Sequence, residues 1–227
     1  MRAIFFDLDE TLCDTNGSRG QRAALASQRL VQDYPHLNVA ALACRMLEVD
    51  GATGWPRGVS LLLQELGLED CDAGREARGL WFFEGCSELL TLWPGETELL
   101  RRLSRDYVFG VITNGPDSIQ RAKFGYLGVE DCFRVFVSSE RAGVYKPDPA
   151  IFRLALEEAG VQAHEAIFVG DLLSVDVAGA KAAGLRSVWL NHEGAALRPD
   201  DPQPDAVISR FEGLPSALEK LGFTVAK

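Results

Sequence analysis

Cysteine and histidine are scarce in this sequence of 227 residues, and neither is grouped. The five cysteines form no Cys-x-x-Cys pair, and the three histidines are spread along the chain. Disulfide frameworks and zinc sites need such residues at close, regular spacing. We therefore predict reduced thiols in a cytoplasmic protein, with no metal site made of histidine or cysteine.

Long apolar runs and an excess of positive charge are also lacking. No run approaches the roughly 20 residues of a membrane span, and we expect no signal peptide before the first predicted strand. Lys and Arg number 23 against 33 Asp and Glu, which gives a formal net charge of -10. This balance disfavours nucleic acid or an anionic membrane as a partner. We expect a small-molecule ligand, and an anionic one would need local cations around it.

Apolar runs of strand length do occur, and beyond residue 93 they alternate with helical patterns. The first run, Ala3 to Phe6, is continuous, as is typical of a parallel strand buried on both faces. The later candidate strands are 108–112, 135–137, 166–169, 187–190 and 206–208. Strands that alternate with helices predict an α/β protein with a parallel sheet and right-handed crossovers.

Residues 20–92 have a different pattern, with apolar residues at helical spacing and no strand-like alternation. This helical segment is inserted straight after the first predicted strand. We therefore predict two domains, a core of residues 1–15 and 93–227 and a helical domain of residues 16–92. A helical domain beside the ends of the strands could close over a ligand and exclude water.

Polar residues follow four of the predicted strands. Ligands bind beyond the carboxyl ends of the strands in open α/β sheets, so we expect these residues to converge. Two nearby carboxylates raise each other's pKa unless a cation neutralises them, and their oxygens suit Mg²⁺. A hydroxyl and a lysine suit a phosphate group. The candidate residues are Asp7, Asp9, Thr113, Asn114, Lys146, Asp171 and Asp176.

Four short motifs around these residues resemble, in order, those of the haloacid dehalogenase (HAD) superfamily. The motifs are Asp7-Leu8-Asp9-Glu10-Thr11-Leu12, Ile112-Thr113-Asn114-Gly115, Lys146-Pro147-Asp148-Pro149 and Gly170-Asp171-Leu172-Leu173-Ser174-Val175-Asp176. The helical insertion lies where subfamily I members carry a C1 cap. The resemblance implies a Rossmann-like parallel sheet, helices on both faces and an inserted helical cap. Glu10 stands where many relatives have glycine.

The resemblance also implies a function, phosphate ester hydrolysis with Mg²⁺ as cofactor. Asp7 would attack phosphorus and form an aspartyl-phosphate, and Asp9 would act as general acid and then as general base. Thr113, Asn114 and Lys146 would bind the phosphate group. A second Asp at position 9 is typical of the phosphatases and phosphomutases in the superfamily, whereas its dehalogenases lack this residue.

The implied metal ligands are four aspartates. Asp7 and Asp171 would bind Mg²⁺ directly, Asp9 would do so through its backbone carbonyl, and Asp176 would bind through water or orient Lys146. Further candidates at the hinge and in the helical insertion are Asp14, Thr15, Arg19, Arg22, Trp55 and Arg57. The arginines among them could contact the leaving group of the substrate.

Within the superfamily, one branch is favoured and several alternatives stay open. The residues Gln120, Lys123 and Trp189-Leu190-Asn191 resemble the phosphatases of the N-acylneuraminate-9-phosphate phosphatase and pyrimidine 5′-nucleotidase type. The substrate would be a small phosphorylated metabolite such as a sugar phosphate, a nucleotide or a phosphoglycolate-like acid, bound by a monomer or a homodimer. The alternatives are a phosphomutase, a catalytically silent HAD-fold binding protein and a receiver domain, although a receiver has no need of a large cap.

Overall fold

The structure, a computed structural model, describes residues 2–53, 57–93 and 95–223. The chain divides into two compact units, Met1–Asp14 with Leu92–Lys227 and Thr15–Thr91. The first unit is assembled from two separated segments and the second from a single continuous one. Their roles as catalytic core and cap stay predictions.

The strands follow the predicted alternation. They are β1 (Ala3–Phe6), β2 (Cys13–Asp14), β3 (Thr91–Leu92), β4 (Val108–Thr113), β5 (Phe133–Ser138), β6 (Ala166–Gly170), β7 (Arg186–Leu190) and β8 (Ala206–Ile208). Six of them form one sheet in the order β5-β4-β1-β6-β7-β8, and β2 and β3 form a separate two-stranded sheet.

Ten α-helices accompany these strands in the described part of the chain. They are α1 (Arg19–Asp33), α2 (Val39–Thr53), α3 (Arg57–Glu65), α4 (Asp72–Trp81), α5 (Glu96–Leu103), α6 (Asp117–Tyr126), α7 (Ser139–Ala142), α8 (Pro149–Ala159), α9 (Ala178–Ala182) and α10 (Leu214–Lys220). The first four belong to the smaller unit and the last six to the larger one.

The first strand of the chain lies in the middle of the six-stranded sheet. It pairs in parallel with β4 on one side and β6 on the other, so that Phe6 is in register with both Val111 and Val169. The remaining pairs, β4 with β5, β6 with β7 and β7 with β8, are parallel too. The predicted α/β class with a parallel sheet is confirmed. Because β1, β4 and β6 are parallel neighbours, the residues that follow them all lie on the same side of the sheet, at the carboxyl ends of the strands.

Both faces of β1 are covered, which explains its uninterrupted apolar run. Successive side chains of a strand point to opposite faces. Phe5 belongs to an apolar cluster with Phe152 of α8, whereas the Phe6 ring lies 5.2 Å from Phe109 and 5.8 Å from Phe211. Packing on both faces therefore explains why every position of this strand is apolar.

The smaller unit has its own apolar core. Residues such as Leu30, Met46, Leu63 and Trp81 from α1 to α4 form one buried cluster. In the described part of the chain, no helix is both long enough and apolar enough to cross a membrane. All five cysteines are free thiols.

Glu96 at the start of α5 is a fully buried carboxyl group outside the predicted site. One of its oxygens accepts a hydrogen bond from the Trp93 backbone N–H at 2.9 Å, and the other has no partner among the described residues. Burial raises the pKa of Glu96 to about 9; the bond from Trp93 opposes this rise, and Glu212 adds to it. The Glu96 carboxyl is therefore protonated at neutral pH in the folded protein.

This buried acid should make the stability of the protein fall as pH rises. Between the ordinary glutamate pKa and about 9, the unfolded chain loses a proton that the folded chain keeps. The free energy of unfolding should then drop by up to about 1.4 kcal/mol per pH unit from this one group. Glu96→Gln should remove the contribution of this group to the slope of unfolding free energy against pH. Urea unfolding between pH 6 and 8 would measure that slope. Glu98→Gln on the exposed side of α5 is the matched control, and equal slopes in all three proteins would contradict the assignment.

Candidate active site

Asp7 is the first residue beyond β1, at the edge where the parallel strands end. Its backbone N–H donates to the Val169 carbonyl at 2.9 Å, which extends the pairing with β6 by one residue. Its side chain is buried, and one carboxylate oxygen lies 2.7 Å from the Lys146 Nζ. The ends of β1 and β6 therefore fix the backbone of Asp7, and a buried cation fixes its side chain.

Lys146 connects two of the predicted aspartates. Its Nζ also lies 2.7 Å from an oxygen of Asp176, and both of these side chains are almost completely buried. Burial lowers the pKa of the Lys146 ammonium, but Asp176 and Asp7 together raise it above its usual value. Lys146 is therefore charged, and it partly compensates the negative charge of two carboxylates that are largely shielded from solvent.

The Asn114 side chain holds the backbone of Lys146 in place. Its amide oxygen accepts from the Lys146 N–H at 2.8 Å, and its amide nitrogen donates to the Lys146 carbonyl at 3.1 Å. The side chain of Asn114 is thus used for positioning, in addition to any contact that its backbone makes.

Asp171 and Asp176 both follow β6. Asp176 lies within a π-helical turn, Leu173–Val177, directly before α9. Its second oxygen accepts from the Leu172 N–H at 3.0 Å. A Cβ at Gly170 would come within 2.5 Å of the Asp176 carboxylate, so only glycine leaves the space that Asp176 occupies.

Three carboxylates meet at this edge of the sheet. Asp7, Asp171 and Asp176 each offer an oxygen, and these atoms all lie within 4.8 Å of one another. Burial raises the pKa of Asp7 to about 7, with Asp176 and Asp9 adding to the rise and Lys146 opposing it. Burial, Asp7 and Asp176 likewise raise the pKa of Asp171 to about 8.

One lysine cannot neutralise three carboxylates, of which Asp7 and Asp176 are buried and Asp171 is half-buried, so the group keeps a negative charge that a cation would compensate. Ligand atoms that are all oxygens suit a hard divalent cation such as Mg²⁺. The residues present therefore fit the metal that the sequence predicts.

Asp9 is placed differently from the other aspartates. Its carboxylate is outside the group of three, and each of its oxygens is bound by a side chain of α6. Lys123 Nζ contacts one oxygen, and Gln120 Nε2 donates to the other at 2.9 Å. The binding of metal through the Asp9 carbonyl stays a prediction.

Thr113 lies at the end of β4, beside the same helix. Its hydroxyl oxygen is 2.5 Å from the Gln120 Nε2, and the same amide group donates to the Asn114 carbonyl at 3.1 Å. Gln120 therefore links the predicted phosphate-binding hydroxyl to Asp9.

Several contacts in the site were not assigned from the sequence. The roles of Gln120 and Lys123 were missed, although their spacing of three places them on one face of a predicted helix. Thr11 donates to an Asp171 oxygen at 3.5 Å, and the Trp189 indole donates to the Asp171 carbonyl at 2.7 Å. A tryptophan in a buried strand signals packing, so its hydrogen bond could not be read from the sequence.

Glu10 has an unusual backbone conformation within the first motif. Its φ is 56°, in the left-handed region that favours glycine. This observation agrees with the glycine that many relatives carry there.

The candidates in the helical insertion have mixed outcomes. Arg22 is buried, donates to the Thr15 carbonyl at 2.6 Å, and lies over the Phe83 ring. It therefore supports the fold of the smaller unit, rather than standing exposed to a ligand. Arg19 is partly exposed and pairs with Asp50. Trp55 lies outside the described residues.

Comparison with known proteins shows which family the chain belongs to. A family model for haloacid dehalogenase-like hydrolases matches residues 1–184. The glyceraldehyde 3-phosphate phosphatase of Pyrococcus furiosus is 31% identical over 85% of this chain and 81% of its own length. The pyrimidine 5′-nucleotidase YjjG of Escherichia coli is 30% identical over 96% and 97%, and the N-acylneuraminate-9-phosphatase of Rattus norvegicus is 27% identical over 100% and 97%.

Solved structures similar to this chain come from the same family as these relatives. A HAD phosphatase from Thermococcus onnurineus superposes with a TM-score of 0.76, at 27% identity over the whole of both chains. A 2-haloacid dehalogenase from Pseudomonas syringae superposes with a TM-score of 0.71, at 28% identity over 97% of this chain and 99% of its own. The chain belongs to the haloacid dehalogenase-like hydrolase family, as its four motifs predict.

Proposed function

We propose that this hydrolase is a Mg²⁺-dependent phosphatase that releases phosphate from a small phosphorylated metabolite through an aspartyl-phosphate on Asp7. The observation that carries the proposal is the buried contact of Lys146 with both Asp7 and Asp176, beside Asp171. This arrangement presents a carboxylate nucleophile next to fixed positive charge, which phosphoryl transfer requires.

The reaction takes place in two displacements. An Asp7 oxygen bonds to phosphorus while the bond from phosphorus to the leaving oxygen breaks, and that oxygen takes a proton from Asp9 to leave as an alcohol. Water then attacks phosphorus and gives a proton to Asp9, and the electron pair of the Asp7–phosphorus bond returns to the Asp7 carboxylate. The net result is one ester and one water converted to one alcohol and one phosphate.

Other residues bind and neutralise the phosphate group. The Lys146 ammonium, the Thr113 hydroxyl and the Asn114 backbone would contact its oxygens. The metal would be held by Asp7, Asp171 and the Asp9 carbonyl, with Asp176 nearby. A bound Mg²⁺ would neutralise negative charge between the phosphate and the carboxylates.

Two observations favour a phosphatase over other hydrolases of the family. Asp9 supplies the acid and base group that the superfamily's dehalogenases lack. The relatives named above act, by name, on a triose phosphate, an acylneuraminate phosphate and pyrimidine nucleotides. Their variety supports a small phosphate ester as the substrate class, with the sugar phosphates, nucleotides and phosphoglycolate-like acids as candidates. A cytoplasmic monomer or homodimer stays our prediction for the protein as a whole.

A substrate panel tests the proposal. Glyceraldehyde 3-phosphate, N-acylneuraminate 9-phosphate, pyrimidine 5′-nucleotides and phosphoglycolate are assayed for release of free phosphate with Mg²⁺ and with a chelator. We expect release from at least one ester, its loss with the chelator, and its return when Mg²⁺ is added in excess.

Three results would contradict the proposal. Release that survives removal of metal would exclude the cofactor. Transfer of phosphate between sugar positions without release would identify a phosphomutase. No release of phosphate from any ester, together with release of chloride from a 2-haloacid, would identify a dehalogenase.

A further inference from the structure

Lys123 is a buried cation that the sequence does not mark as part of the site. It lies on α6 and is 2% exposed, whereas lysine side chains on helices are mostly solvated. Burying an ammonium group is costly unless a carboxylate compensates it. Asp9 supplies a carboxylate that contacts the Lys123 Nζ.

Both oxygens of Asp9 are held from the same helix. Lys123 contacts one and Gln120 donates to the other, one turn earlier on α6. Gln120 also reaches the Thr113 hydroxyl with the same nitrogen. The helix therefore sets the position of the Asp9 carboxylate relative to Thr113 at the end of β4.

Asp9 follows Asp7 by two residues, and Asp7 belongs to the group of three carboxylates that would hold a cation. A divalent ion attracts any carboxylate within reach, so an Asp9 side chain without other contacts could turn toward a cation held by that group. Lys123 and Gln120 instead compensate the negative charge of the Asp9 carboxylate from the side of α6.

We infer that Lys123, together with Gln120, is a positioning residue that keeps the Asp9 carboxylate apart from the group of three carboxylates and directed to the leaving oxygen of the substrate. This inference rests on the proposed phosphatase function. It explains why a lysine is buried at this point of α6 with an aspartate as its partner.

The inference is tested by how much the rate depends on the leaving group. An alkyl phosphate needs a proton on its leaving oxygen, whereas p-nitrophenyl phosphate has a leaving group that is stable as an anion. The value of kcat/KM reports only the steps up to cleavage of the ester bond, so it isolates the role of Asp9 as an acid. Lys123→Met should lower kcat/KM by about 100-fold for the best alkyl ester of the panel and by less than about 10-fold for p-nitrophenyl phosphate.

Arg121→Met is the matched control, because Arg121 is a cation on the exposed side of the same helix. It should leave both values of kcat/KM unchanged. Lys123→Arg, which keeps the charge, should recover much of the loss on the alkyl ester. Equal losses on both esters in Lys123→Met would overturn the inference and indicate a general structural effect.

A double-variant cycle separates action through Asp9 from any other effect. In an Asp9→Asn background, Lys123→Met should cause no further loss on the alkyl ester; a further loss of the full size would overturn the inference. If Lys123→Met does not fold, Gln120→Leu takes its place with the same expected preference for p-nitrophenyl phosphate. If the wild-type protein releases phosphate from neither ester, the proposed function itself is contradicted. This result is distinguishable from equal losses on both esters in Lys123→Met, which would contradict only the inference about Lys123.

Discussion

Asp7→Asn is expected to lower the rate of phosphate release by at least about 10⁴-fold, because the amide cannot act as the nucleophile. The substitution keeps the shape of the side chain next to Lys146, so the protein should remain folded. Release of phosphate from the best ester of the panel, measured with Mg²⁺ at saturating substrate, gives the rate. Trapping with acid should detect phosphoenzyme in the wild type and none in the variant.

The matched control for this substitution is Asp200→Asn, which removes one carboxylate from an exposed loop of the same acidic chain. It should retain the wild-type rate. Hydrolysis by Asp7→Asn at the wild-type rate would show that another group attacks phosphorus.

Lys146→Met is expected to abolish turnover and to destabilise the fold. The substitution leaves Asp7 and Asp176 buried without the cation between them, and breaking a buried ion pair costs about 3–5 kcal/mol. A divalent cation should offset part of this loss, since an ion that binds the folded state stabilises it by mass action. Urea unfolding with Mg²⁺ and with a chelator should show a larger effect of Mg²⁺ in the variant than in the wild type.

Lys220→Met removes an exposed lysine from α10 and is the control for this experiment. It should match the wild type in stability with and without Mg²⁺. A Lys146→Met protein as stable as the wild type in chelator would mean that the two aspartates do not depend on this lysine.

The sequence predicts the layers of the fold, a parallel sheet covered by helices. It does not predict the order of the strands in that sheet. Continuous apolar runs such as Ala3–Phe6 indicate buried parallel strands, because both faces of the sheet must be covered. The order β5-β4-β1-β6-β7-β8 depends on which strands pair, and periodicity carries no information on pairing. The same limit applies to the π-helical turn around Asp176, where local spacing indicates only a helix start.

The site could be predicted where residues follow strands and could not where they lie on helices. The carboxyl ends of parallel strands meet on one side of the sheet, so the sequence alone predicts that Asp7 and Asp171 converge. Lys123 resembles any polar residue on a solvated helix until α6 is placed beside the end of β1. Arg22 shows the reverse case, because a charged residue on a helix proved to be buried against aromatic rings.

The central position of β1 affects the order in which the protein can fold. Its partners are β4 and β6, which come far later in the chain. Contacts between distant residues form slowly, because a long loop must close before they contribute stability. On a ribosome, β1 emerges before both of these partners and stays without them until residues 108–113 and 166–170 have followed. An apolar strand exposed for so long is a hazard for aggregation, and chaperones would protect it during synthesis.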